Sequence, residues 1–139
     1  MGTLYSGSPG NGRGIWASNS DILVEGSIFD ACQVGVYAFR SSTTVQAENE
    51  FLDCSFGIFV ADPVDKTVLI KDNVSVDVER SIFVWGLGPA KSISISDNEI
   101  AAKPLPTSTG ITGIHISGYP TFMTAIDGIT IETNIVKLL

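Results

Sequence analysis

Asp62, Asp65 and Lys66 are the residues whose spacing first invites a chemical reading, since two carboxylates and an ammonium share one short segment. Paired carboxylates can divide acid and base duties. Asp62-Pro63-Val64-Asp65 is equally the composition of a plain turn, and the turn is the preferred reading. Arg40 and Arg80 are the best cationic candidates, and His115 is the sole histidine. Arg80 precedes the Ser81 that replaces the repeat glycine, but no carboxylate constellation is tied to it, and there is no phosphate loop, nucleophile elbow or metal-binding His pair. No catalytic residue, cofactor or metal ligand is therefore assigned. Glu48, Asp72 and Asp97 each precede an Asn, and Asp53 and Asp77 form a shorter series. Oxygen ligands of this kind suit Ca²⁺, but a solvated acidic edge is the expectation. Asn73-Val74-Ser75 matches a glycosylation acceptor. It is discounted because Asn73 belongs to a repeated turn position.

The spacing of aromatic residues carries more. Trp16, Tyr37, Phe59, Phe83 and His115 each follow an apolar residue that itself follows Gly14, Gly35, Gly57, Ser81 or Gly113. The steps between these small residues are 21, 22, 24 and 32. An apolar-x-apolar pair recurs in the same order at Ile22/Val24, Val45/Ala47, Val68/Ile70, Ile93/Ile95 and Ile129/Ile131. Polar turn residues follow at Ser27, Asn49, Asn73, Asn98 and Asn134, and two residues later come Phe29, Phe51, Ser75, Ile100 and Val136. Three landmarks in one order through five copies define an internal repeat.

Each copy holds short alternating segments, which is a strand signal, and no convincing stretch has helical periodicity. A leucine-rich framework is absent. The solution is an all-β solenoid of about five coils, one copy per coil, with parallel strands stacked about 4.8 Å apart. Residues 1–13 read as a Gly/Ser-rich lead-in and 14–139 as the domain. Ile15, Val36, Ile58, Ile82 and Ile114 should form one inward column, and Ala17, Ala38, Val60, Val84 and Ile116 a second. Strand alternation then turns Trp16, Tyr37, Phe59, Phe83 and His115 outward, with Phe39 and Trp85 widening the stripe. A recurring Asn can hydrogen-bond the coils on either side and accepts left-handed backbone. Cys32 and Cys54 stand three residues before the repeat glycines, so they should stack on adjacent coils, as buried thiols in preference to a disulfide.

Ile93-Ser94-Ile95-Ser96-Asp97-Asn98-Glu99-Ile100 and Ile129-Thr130-Ile131-Glu132-Thr133-Asn134-Ile135-Val136, with the Gly-Ile after the turn, resemble the repeats of the right-handed parallel β-helix proteins of the pectin-lyase-like superfamily. The resemblance covers roughly 14–136. It implies a right-handed helix with an asparagine ladder and suggests an extracellular or surface location. Members include polysaccharide lyases, hydrolases and epimerases, phage tail spikes and adhesins, so the fold does not choose among them. The hydrolase motifs Asn-Thr-Asp, Asp-Asp and Gly-His-Gly are missing, and Gly113-Ile114-His115 is only a remote echo of the last.

Composition bounds the rest. The chain has 139 residues, a net charge of −7 and only 17% charged residues. That is a single domain with enough apolar content for a core, and its acidity argues against nucleic acid. No apolar run approaches the roughly 20 residues of a membrane span, and the N-terminal stretch lacks the apolar core of a signal peptide. Two cysteines are too few for a disulfide scaffold. The aromatic stripe admits three readings: contact with an extended glycan, a subunit interface, or cover by the loops at 19–21, 40–43, 62–66, 86–91 and 118–128. No capping helix is evident at either end, which points to self-association or to a longer parent chain. The expectation is a non-catalytic module, structural or polysaccharide-contacting and homo-oligomeric or part of a longer chain; the alternative is a fragment or relative of a polysaccharide-acting enzyme.

Overall fold

The structure, a computed structural model, describes residues 4–6, 12–102, 112–118 and 129–138. Residues 103–111, which include Pro104 and Pro106, and nearly all of the loop expected over 118–128 lie outside the described residues. Among the described residues every strand pairing is parallel, and the strands stack in three sheets. Sheet 1 holds β2 (Arg13–Ser18), β5 (Val34–Phe39), β8 (Phe56–Ala61), β11 (Arg80–Gly86) and β14 (Thr112–Gly118). Sheet 2 holds β3 (Ile22–Glu25), β6 (Thr43–Gln46), β9 (Thr67–Lys71), β12 (Ser92–Ser96) and β15 (Ile129–Glu132). Sheet 3 holds β1 (Leu4–Ser6), β4 (Ile28–Asp30), β7 (Glu50–Leu52), β10 (Val74–Val76), β13 (Glu99–Ala102) and β16 (Ile135–Leu138). The chain thus passes from sheet 1 to 2 to 3 and climbs one coil, as the repeat predicts. β1 lies within the stretch read as a lead-in and pairs with β4, which carries sheet 3 one rung further upstream.

The two inward columns form as expected. Val36, Ile58 and Ile82 are buried, as are Ala17, Ala38, Val60 and Val84, with Ile15, Ile114 and Ile116 partly buried against them. Val24, Val45, Ile70 and Ile95 contribute from sheet 2. From sheet 3, Phe29 and Phe51 stack with centroids 4.8 Å apart and planes 6° from parallel. These rings explain the repeat glycine. A Cβ on Gly35 would lie 2.6 Å from Phe51 Cδ1 and 2.7 Å from the Gly57 carbonyl oxygen. Where the sheet 3 column changes to Ser75, Ser81 stands in the glycine column, and its buried hydroxyl has no hydrogen-bond partner among the described residues.

Each coil bends at residues with left-handed backbone. One corner carries Asn19, Arg40 and Asp62, a second Gly26, Glu48, Asp72, Asp97 and Thr133, and a third Ala31, Asp53 and Asp77, all with φ between 50° and 63°. This corrects one expectation. The ladder asparagines themselves are not left-handed; the residue before each takes that strain. The acids that looked like an optional metal column at Glu48, Asp72 and Asp97 are therefore bend residues. Short polar side chains tolerate this conformation better than others do. The amide is left to bond across coils.

Candidate functional site

The expected ladder of amides is present. Asn49 Nδ2 donates to Asn73 Oδ1 at 2.9 Å, Asn73 Nδ2 to Asn98 Oδ1 at 3.0 Å, and Asn98 Nδ2 to Asn134 Oδ1 at 2.9 Å. Each also donates to a carbonyl of the preceding coil: Asn49 to Val24, Asn73 to Val45, Asn98 to Ile70 and Asn134 to Ile95. Ser27 begins the column by donating its backbone N–H to Asn49 Oδ1. Asn49, Asn73 and Asn98 are buried, so this corner is spent on structure, and Asn73 has no amide to offer a glycan.

The Asp62 loop is likewise structural. Asp62 is 1% exposed; its Oδ2 accepts from Arg40 Nε at 2.9 Å and its Oδ1 from the Leu87 amide at 2.9 Å. One carboxylate so ties three successive coils. Asp65 is exposed and its backbone amide bonds Pro89, so the two acids do not converge on a reaction centre. Glu48, Asp72 and Asp97 line an open groove. Among the described residues no group of three His, Cys, Asp or Glu could hold a metal ion. No helix among them is long and apolar enough to cross a membrane.

Sheet 1 is different. The strand register places Trp16 beside Tyr37, Tyr37 beside Phe59, Phe59 beside Phe83 and Phe83 beside His115. Successive centroids lie 5.0, 5.2, 4.8 and 5.0 Å apart. The rings meet edge-on or tilted, an arrangement their quadrupoles favour. The stripe faces outward: Trp16 is 55% exposed, His115 is exposed, and the three rings between them are half-buried. Phe39 and Trp85 also face out but do not adjoin each other. Ala61 stands between them in register, with Ser18 and Ser117 beyond. They are separate patches beside the stripe and not a second continuous column.

Sequence reasoning missed three members of this face. Phe56 packs 5.2 Å from Phe59 and 6.1 Å from Phe83. Arg13 lies over the Trp16 ring at 3.9 Å, and Arg80 lies over Phe56 and Phe83 at 5.3 and 5.8 Å. Their common signal was register, since Arg13, Val34, Phe56, Arg80 and Thr112 all immediately precede the repeat glycine position. A shallow concavity of about 190 Å³ opens here between Arg13, Trp16, Gln33, Val34, Tyr37, Phe56 and Phe59. None of the described loop segments at 19–21, 40–43, 62–66 or 86–91 lines it.

The stacked parallel coils and the internal amide ladder define a parallel β-helix. Residues 4–136 match the family described as "Right handed beta helix region", and the chain belongs to that family. The membership supplies the right hand of the coil and is consistent with the pectin-lyase-like resemblance. The chain matches no curated protein and no solved structure at a significant level.

Proposed function

We propose that this chain is a non-catalytic β-helix module whose sheet 1 face is its working surface, holding an extended carbohydrate along the aromatic stripe. The observation that supports it is the outward column from Trp16 to His115, in register across five coils and half exposed. Sugar rings present C–H faces that pack on aromatic rings, and Arg13, Gln33 and Tyr37, which carry polar groups, line the same concavity. A second reading uses the same face: a subunit interface, favoured by an exposed apolar Trp flanked by an Arg, residue types enriched at interfaces.

A glycan array with the full chain, read beside light scattering, separates the two. Carbohydrate contact predicts binding by a monomer and its loss in Trp16→Ala. Self-association predicts a dimer or larger species that Trp16→Ala dissociates, with no glycan retained. A monomer that binds nothing would remove both readings. Release of reducing sugar or unsaturated product from any polysaccharide would restore the enzyme alternative.

A further inference from the structure

We propose that Cys32 and Cys54 are an oxidisable pair that closes into a disulfide between adjacent coils. The backbone places them one above the other. Asp30 registers with Leu52 before them and Val34 with Phe56 after them. The Ser55 amide donates to the Cys32 carbonyl at 3.1 Å, which continues the ladder through the corner. Register neighbours on adjacent parallel strands lie about 4.8 Å apart, inside the Cα separation a disulfide spans. The side chains converge as well. Cys54 Sγ donates to the Phe29 carbonyl at 3.5 Å, an atom of the coil that carries Cys32, and to Leu52 at 3.3 Å. Cys32 Sγ donates to the Asp30 carbonyl at 3.7 Å, on the same side of the corner.

The pair is unbridged and each residue is 2% exposed, so the fitting oxidant is a small peroxide. The Cys32 thiolate attacks one peroxide oxygen, the O–O bond breaks, and the departing hydroxide leaves as water. Cys54 sulfur then attacks the resulting Cys32 sulfenic acid. The S–O bond breaks, the S–S bond forms, and the Cys54 proton goes out with the second water. Two thiols lose two electrons and hydrogen peroxide becomes two waters. Burial raises both thiols, Cys54 to about 12, so the reaction is slow at neutral pH and quickens toward alkaline pH.

The test treats the folded full chain with hydrogen peroxide at pH 7 and pH 9, then denatures it in alkylating reagent. The expected product is a monomer lighter by about 2 Da, with both thiols lost together and a Cys32–Cys54 peptide on non-reducing digestion. Its Tm should rise by roughly 5–10 °C, because the bridge constrains the unfolded chain. Cys54→Ser should give neither the mass loss nor the Tm rise, and its Cys32 should go on to sulfinic acid. Both thiols still alkylated, overoxidation without a bridge, a bridge between chains, or a bridged product with a lower Tm would each overturn the proposal.

Discussion

The asparagine corner and the aromatic face are built by the same device and end in opposite states. Each is a column of like residues held in register by parallel coils. In the corner Asn49, Asn73 and Asn98 each donate inward, to the next amide and to a carbonyl of the preceding coil, and their side chains are buried. On the face the rings pack edge-on or tilted against one another and under arginines, and their outer surfaces remain partly in water. Repetition alone therefore marks a position as structurally equivalent and no more. Whether its bonding capacity is consumed inside the stack separates a column that holds coils together from one that presents a surface.

The sharpest way to break this contrast is to delete one member of each column and compare the losses. Asn73→Ala removes the acceptor of Asn49 Nδ2 and the donor to the Val45 carbonyl, both in a buried setting. Leaving such groups unmade should cost about 3–4 kcal/mol in urea denaturation. Gly35→Ala drives a Cβ into Phe51 and the next coil's backbone, and overpacking of that kind should cost about 2–3 kcal/mol by the same measurement. Trp16→Ala should cost only about 0.5–1 kcal/mol, since over half of the side chain is exposed, while abolishing partner binding. If Trp16→Ala proved as destabilising as Asn73→Ala, the aromatic column would be scaffold and the contrast would fail.

The repeat made the fold legible because stacking imposes one environment on every fifth of the chain. Gly35, Ile58 and Asn98 each announce a place in the coil through their periodic neighbours. What one side chain prefers in isolation misled. Asn is suited to left-handed backbone, so the strain was expected at Asn73 and Asn98, yet it falls on Asp72 and Asp97. The ladder needs the amide turned inward, and the bend must come one residue earlier to aim it. The Arg40–Asp62 pair was also hidden, although its separation of 22 residues equals one repeat step. Read as loop chemistry, Asp62 looked paired with Asp65; read as register, its partner is the residue one coil below. Arg13, Phe56 and Arg80 escaped for the same reason, since alternation was counted from the glycine forward and not backward.

The corner combines two properties, a left-handed bend and a bonded amide, and the third corner separates them. Ala31, Asp53 and Asp77 bend with φ of 54°, 50° and 55° but carry no amide ladder. Ala31 has no polar side chain to offset the crowding of its Cβ in this conformation. Ala31→Gly removes that crowding, worth about 1–2 kcal/mol, and returns part of it through the greater freedom of the unfolded chain. The net gain should be about 0.5 kcal/mol, read as a higher urea midpoint with an unchanged slope. The same change at Glu48, which is also left-handed but precedes a ladder amide, should gain a similar amount if bend and ladder are independent. A loss at Glu48→Gly beside a gain at Ala31→Gly would mean that a stiff bend is needed to aim the Asn49 amide, so that the corner's two properties act as one.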